Sequence, residues 1–221
     1  MDPGTGFSAL IPAAGKGQRL GRGPKAFVRL GARTLIQHVV DAFRPHAAEI
    51  LVAVPGDQLE EAAALLPGVQ VLAGENTRQG TVATLLSQAH NDIVLIHDAA
   101  RPFLSGNVIQ RTTEAATERG AATAAVPIFD TVIDIERNQT INRSRFRAVQ
   151  TPQGFHRDLL LRAHRQASDH GYRATDDADL VRALGLPVAL VEGNPLLFKV
   201  TTPEDLLLAR ALAQSGTSEQ P

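Results

Sequence analysis

What most constrains this chain is the rhythm of its apolar residues, which alternates between two periods. Short apolar runs read as strands: Phe7 to Ile11, Glu49 to Val54, Val69 to Leu72, Asp92 to Ile96 and Ala122 to Val126. Between them lie segments with helical spacing. After Thr34, for example, Leu35, Ile36, Val39, Val40 and Phe43 fall on one helical face. Helices are likewise expected from Gln58 to Leu66, from about Gly80 to Ala89, from a Ser105 cap to about Arg119, and from Arg157 to Ala167. This alternation predicts an α/β fold with a Rossmann-like, mostly parallel sheet and helices on both faces.

The rhythm breaks between Ile128 and Arg147. Val132, Ile133 and Ile135 are β-branched, Glu136 to Gln139 is polar and turn-like, and both flanks read as strands. The segment has too few large apolar residues to fold alone, so it predicts a β-hairpin arm protruding from the sheet. The α/β pattern then resumes with a strand near Val149, a helix capped by Thr175 and strands from Val188 to Val191 and Leu197 to Val200. Thr202-Pro203-Glu204-Asp205 is a strong helix start: a cap, a proline at the first helical position, then two acids. The 221 residues suit one domain over 1–214, with 128–147 as the arm and 215–221 as a disordered tail.

Composition narrows the function classes. The formal net charge of −1 argues against a nucleic-acid binder. There is no cysteine, which excludes disulfides and thiolate metal sites. No apolar run approaches a membrane span, and MDPGTGF lacks the basic segment and apolar run of a signal peptide. A cytoplasmic protein is expected. Lysine is rare: of 22 basic residues only Lys16, Lys25 and Lys199 are lysines. Codon bias towards arginine explains the rarity, and it makes each surviving lysine a candidate for a compact ammonium, as at a phosphate.

Two of those lysines sit in the stretch "LIPAAGKGQRLGRGPKAF", from Leu10 to Phe27, which follows the first strand. A glycine-rich turn there can aim several backbone N–H groups at one anion. It is not a dinucleotide fingerprint, because Leu20 stands where GxGxxG needs its last glycine, and no acid ends the second strand. Nor is it a P-loop, because Gly15-Lys16 continues with Gly17. What remains is a longer loop around a triphosphate, with Lys16, Arg19 and Lys25 as its cations. The alternative is an ordinary flexible turn.

"PAAGKGQRL" with "PKAF" resembles the nucleotide loop of sugar-nucleotide and polyol-phosphate nucleotidyltransferases. "HDAARPF", "DT" at Asp130-Thr131, "TPQGF", "TDDA" and "FKVTTPED" follow in order. Together they resemble the 2-C-methyl-D-erythritol 4-phosphate cytidylyltransferase family over roughly residues 7 to 212. The resemblance implies a CTP-dependent transfer of a cytidylyl group to methylerythritol phosphate in non-mevalonate isoprenoid biosynthesis, with release of pyrophosphate. It also implies a magnesium cofactor and a homodimer whose arms are exchanged. Neither nucleic acid nor membrane is an expected partner.

By the same resemblance, Arg19, Lys25, Lys199 and Asp98 are the catalytic set, and Asp98 is the metal ligand. Ala13, Ala14, Gly15 and Lys16 would hold the nucleotide, together with Gly74, Asn76 and Thr81 in "GENTRQGT". Arg78 lies in that same base- and ribose-binding segment. Asn76 stands where the family usually has aspartate. Its amide could accept from cytosine or donate to uracil, or the residue could simply cap the following helix. Thr131, Arg143 and Lys199 match residues used for methylerythritol phosphate, with Arg145 and Arg147 as competitors of Arg143. Arg101 would orient Asp98 or touch the second substrate, and Thr151 would add a contact. His97 alternates to the other side of its strand and carries no assigned chemistry. The acids Asp176, Asp177 and Asp179 read as complements to a helix N-terminus. Competing readings are a cytidylyltransferase for ribitol 5-phosphate, a nicotinamide oxidoreductase and a non-catalytic nucleotide sensor. The failed fingerprint disfavours the oxidoreductase, and the sensor would not need Asp98, Arg143 and Lys199 together.

Overall fold

A computed structural model describes residues 6–15 and 23–215. Its strands are β1 (Phe7–Pro12), β2 (Arg29–Leu30), β3 (Arg33–Thr34), β4 (Glu49–Val54), β5 (Gln70–Ala73), β6 (Ile93–Ile96), β7 (Ala121–Pro127), β8 (Ile133–Asp134), β9 (Gln139–Thr140), β10 (Arg147–His156) and β11 (Ala189–Glu192). Its α-helices are α1 (Leu35–Phe43), α2 (Leu59–Leu65), α3 (Arg78–Gln88), α4 (Gly106–Arg119), α5 (Arg157–Asp169), α6 (Asp177–Ala183) and α7 (Pro203–Gln214). Seven strands form the central sheet in the order β11-β7-β10-β6-β1-β4-β5. All neighbours run parallel except β10, which is antiparallel to both β6 and β7.

The two-residue alternation of strand side chains divides the core between the sheet's two faces. Phe7, Ala9 and Ile11 of β1 face α1 and α4, where Ile36, Val39, Phe43, Val108 and Ile109 are buried. Leu10 and its neighbours Leu51 and Val94 face the opposite layer, made by Val82 and Leu85 of α3, Leu160 of α5 and Val181 of α6. Truncating a fully buried leucine such as Leu10 to alanine costs ~2–5 kcal/mol. The helices begin where their capping chemistry allows. Thr34 and Gln37 form a reciprocal capping box at α1, and Thr202 and Asp205 form another at α7.

Several local expectations are corrected. Residues 197–200 are not a strand: Val200 N–H reaches Ala100 O, and the segment pairs with no strand of the sheet. Thr175 does not cap α6. Asp176 does, accepting from Asp179 N–H, while Thr175 N–H donates to the Asp179 carboxylate. A carboxylate beats a hydroxyl there because it is the stronger acceptor for orphan N–H groups. Ser105 stands at the α4 N-cap position but makes no capping bond with its side chain. The strand near Val149 is longer than expected and carries TPQGF within it, with a register shift between Val149 and Gln153.

The interruption after β7 is a hairpin arm, with β8 paired to β9 and Asn138 at positive φ in the turn. Phe129, Ile133 and Ile135 are exposed on it, Ile135 at 90%. Among the described residues, no helix is long and apolar enough to cross a membrane. Of the expected tail 215–221, Ser215 instead caps the end of α7, its N–H on Ala211 O at 3.1 Å, and residues 216–221 lie outside the described residues.

Candidate active site

From β1 the chain passes to β4 and β5 on one side, then returns to β6 on the other. The carboxyl ends of β1 and β6 therefore flank a topological switch point, where open α/β sheets bind ligands. A cavity of about 460 Å³ opens there. One wall is the backbone from Pro12 to Gly15, anchored by Ala13 N–H on Ala53 O at 2.7 Å. A second wall is the segment from Glu75 to Arg78 at the start of α3. Lys25, Ala26, Thr81, Asp98, Ala99, Ala100 and Lys199 complete the lining.

Gly74 explains how two of these walls meet. A Cβ there would sit 2.4 Å from Ala14 Cβ, closer than atoms approach, so only glycine lets the two loops touch. Thr81 secures the same loop from within. Its hydroxyl donates to Thr77 O at 2.9 Å and accepts from Glu75 N–H at 2.9 Å. Asn76 lines the cavity and does not cap α3. That role falls to Thr77, whose side chain accepts from Gly80 N–H, so the capping reading of Asn76 is corrected.

Asp98 is the electrostatic centre. Lys199 Nζ lies 2.8 Å from its Oδ2, Arg78 Nε 3.3 Å from its Oδ1, and Arg101 Nε 3.7 Å from Oδ2. Burial alone would raise the Asp98 carboxyl, but Arg78 and Lys199, with Arg101 behind them, hold it well below the usual carboxylate range. Arg101 is fixed in turn by donating to Leu197 O at 2.7 Å.

His97 and Thr151 shape this turn from behind. A carbonyl only accepts, so His97 Nε2–H donates to Arg101 O at 3.1 Å. Nδ1 then accepts from the Thr151 hydroxyl, whose oxygen accepts Asp98 N–H, both at 3.1 Å. Burial lowers the His97 pKa to about 4, so the neutral ring this chain of bonds requires is the favoured one. Thr151 is thus 5% exposed and engaged with Asp98, outside the cavity lining.

The structure brings Ala13, Ala14, Gly15, Lys25, Asn76, Arg78, Thr81, Asp98 and Lys199 to one cavity. Lys16 and Arg19 lie outside the described residues. Thr131 and Arg143 stand on the arm, both exposed and outside the lining, and Arg143 donates to Phe129 O. Sequence reasoning missed Thr77, whose threonine-before-helix pattern was available. Asp177 stands in the first turn of α6, as the helix-complement reading has it, but the sequence did not show that it is also buried and paired with Arg78.

This arrangement can gather a polyphosphate: the Ala14 and Gly15 backbone on one side, Lys25, Lys199 and Arg78 on the other, and the Asp98 carboxylate between them. Comparisons agree with it. The family model described as "IspD: 2-C-methyl-D-erythritol 4-phosphate cytidylyltransferase" matches residues 7–215. A protein of that name from Thermus thermophilus is 51% identical over 210 residues, covering 94% of this chain and 97% of the relative. One from Deinococcus radiodurans is 49% identical over 208 residues, covering 93% and 88%. The crystal structure of a Thermus thermophilus enzyme of the same name superposes with a TM-score of 0.84 at 47% identity, covering 95% of this chain and all of that one. A 4-diphosphocytidyl-2C-methyl-D-erythritol synthase from Anaerococcus prevotii gives a TM-score of 0.84 at 26% identity, covering 96% and 99%. With the family model matched over residues 7–215 and relatives about half identical over nearly the whole length, this chain belongs to the 2-C-methyl-D-erythritol 4-phosphate cytidylyltransferase family.

Proposed function

We infer that the chain transfers the cytidylyl group of CTP to 2-C-methyl-D-erythritol 4-phosphate. The observation that carries this reading is the Asp98 carboxylate ringed by Lys199, Arg78 and Arg101, facing the Pro12–Gly15 backbone across one cavity. A phosphate oxygen of the polyol attacks the α-phosphorus, the bond to the β-phosphate oxygen breaks, and pyrophosphate leaves. Such a transfer needs positioning and charge stabilisation more than covalent chemistry. Lys25 and Lys199 supply positive charge where the phosphorus becomes crowded. Gly15 and its neighbours present backbone N–H groups to the nucleotide.

Magnesium is part of the proposal. Among the described residues, no three His, Asp or Glu side chains converge on a metal position. Asp98 alone fits a hard cation that takes its remaining oxygens from phosphates and water. Because Asp98 is already neutralised by three cations, the ion would enter with the triphosphate that balances it. Bound there, it would neutralise charge on the phosphates.

The second substrate and the dimer belong to the same reading. Thr131 and Arg143 are outside their own cavity, and apolar Phe129, Ile133 and Ile135 are exposed beside them. These features support an arm that covers a partner's site in a homodimer, with Arg143 gripping a phosphate bidentately. Soluble, charged substrates support a cytoplasmic setting. Pyrophosphate release is the test, with CTP and either methylerythritol phosphate or ribitol 5-phosphate, before and after chelation. Expected is release with methylerythritol phosphate, lost on chelation and restored by magnesium. Faster release with ribitol 5-phosphate overturns the substrate, and full turnover after chelation overturns the metal.

A further inference from the structure

Arg78, at the start of α3, shares its guanidinium between two carboxylates. Nε lies 3.3 Å from Asp98 Oδ1, whereas NH1 lies 2.8 Å from Asp177 Oδ2. Asp98 lines the cavity, but Asp177 does not. It is 1% exposed, in the first turn of α6 behind Arg78. Burying a carboxylate loses hydration that an ion pair only partly replaces, so a residue kept there asks for a reason.

Its surroundings supply one. The fully buried Gln153 of β10 accepts Asp177 N–H and Ala178 N–H, both at 3.1 Å. Its amide donates to Thr123 Oγ1 at 3.0 Å and to Asp176 Oδ2 at 2.9 Å. Two residues earlier on the same strand, Thr151 holds Asp98 N–H. The backbones of both acids are therefore tied to one strand, and the guanidinium lies between their carboxylates. His164 Nε2 stands 3.8 Å from Asp177 Oδ1. Burial depresses its pKa, so its neutral ring leaves Asp177 to Arg78. Supporting shells of this kind hold a functional group to its working geometry.

We propose that Asp177 is a positioning residue: it draws the Arg78 guanidinium away from Asp98 and pins it in the cavity wall. This rests on reading the cavity as the CTP site. Among the described residues, Asp98 is the other carboxylate paired with Arg78. Without Asp177, the guanidinium closes onto Asp98, and CTP has to displace it.

The test is steady-state pyrophosphate release by Asp177→Asn, with thermal unfolding measured in parallel. Expected is a rise of about tenfold or more in KM for CTP, with KM for the polyol phosphate and kcat changed less than threefold. Asp177→Glu, which restores the carboxylate, is expected to recover part of the loss. A merely structural aspartate would lower the unfolding temperature and leave KM for CTP unchanged, and that result overturns the proposal. Should Asp177→Asn fail to fold, Arg78→Gln is compared with the Arg78→Gln, Asp177→Asn double variant, which buries no unpaired carboxylate. Equal KM for CTP in the two is expected, since Asp177 acts through Arg78. A further rise of more than threefold in the double variant overturns the proposal. Wild-type enzyme is the control: if it releases no pyrophosphate, it is the CTP reading that fails.

Discussion

Lys25 shows how far one residue can be read. It begins a short 3-10 turn behind Pro24, whose φ of −59° fixes the chain's entry, and it lines the cavity. Lys25→Ala is expected to lower kcat by about two orders of magnitude or more, measured by pyrophosphate release, because a contact to transition-state charge is lost. Lys25→Arg is expected to recover only part, since a planar guanidinium does not replace a point charge in a tight turn. Near-normal turnover by Lys25→Arg would remove the reason for keeping lysine there. Asn76 carries a second residue-scale prediction. Its amide can accept from cytosine or donate to uracil, so Asn76→Asp is expected to sharpen the preference for CTP over UTP in direct competition. An unchanged preference would take Asn76 out of base selection. The scarcity of lysine and the HDAARP string made Lys25, Asp98 and Lys199 legible in advance. Asp177 was not, because its partner Arg78 lies far away along the chain, and no local pattern distinguishes a buried acid from a helix-end acid.

At the scale of elements, amphipathic periodicity made α1 and the parallel strands legible, since one buried face dictates the pattern. It failed where backbone bonds are made one at a time: residues 197–200 have a strand's composition, yet no strand pairs with them. The arm was legible as a break in rhythm, but which site it serves could not be read from one chain's pattern. Complementation can decide this. Asp98→Ala and Arg143→Ala are each expected to be inactive. If arms cross a two-fold dimer, random exchange makes half the dimers mixed, and each mixed dimer carries one intact site. Activity is then expected to return to roughly a quarter of wild type by that symmetry. Verified exchange with no recovered activity would assign Thr131 and Arg143 to their own subunit.

Across the whole molecule, the sheet separates chemistry from stability. At the end of the sheet opposite the cavity, Glu49 ties β1, β4 and the chain before β6 together: its carboxylate accepts from Ser8 Oγ, His90 N–H and the Asn91 amide. Partial burial would raise its pKa, but the bonds from Ser8 and His90 lower it from 4.5 to about 2. A depressed carboxyl stabilises the fold fully above its unfolded value and loses that share as pH falls through the folded one. The difference in unfolding temperature between wild type and Glu49→Gln is therefore expected to be constant above pH 4.5 and to shrink between there and about pH 2. A difference that persists undiminished in acid would show that the charge is not what ties these strands. The pairing of Arg147 with Pro127 has a consequence of another kind. Because the arm's two ends emerge side by side on adjoining strands, everything between them is an exchangeable cassette: a relative's hairpin of a different length can be spliced in without moving either end. One residue inserted farther along, between Arg147 and Thr151, is not so harmless. If it slips Thr151 by one position, the side chain turns to the other face and Asp98 N–H is left unsupported, so the arm's length is free while the register of the strand that follows it is not.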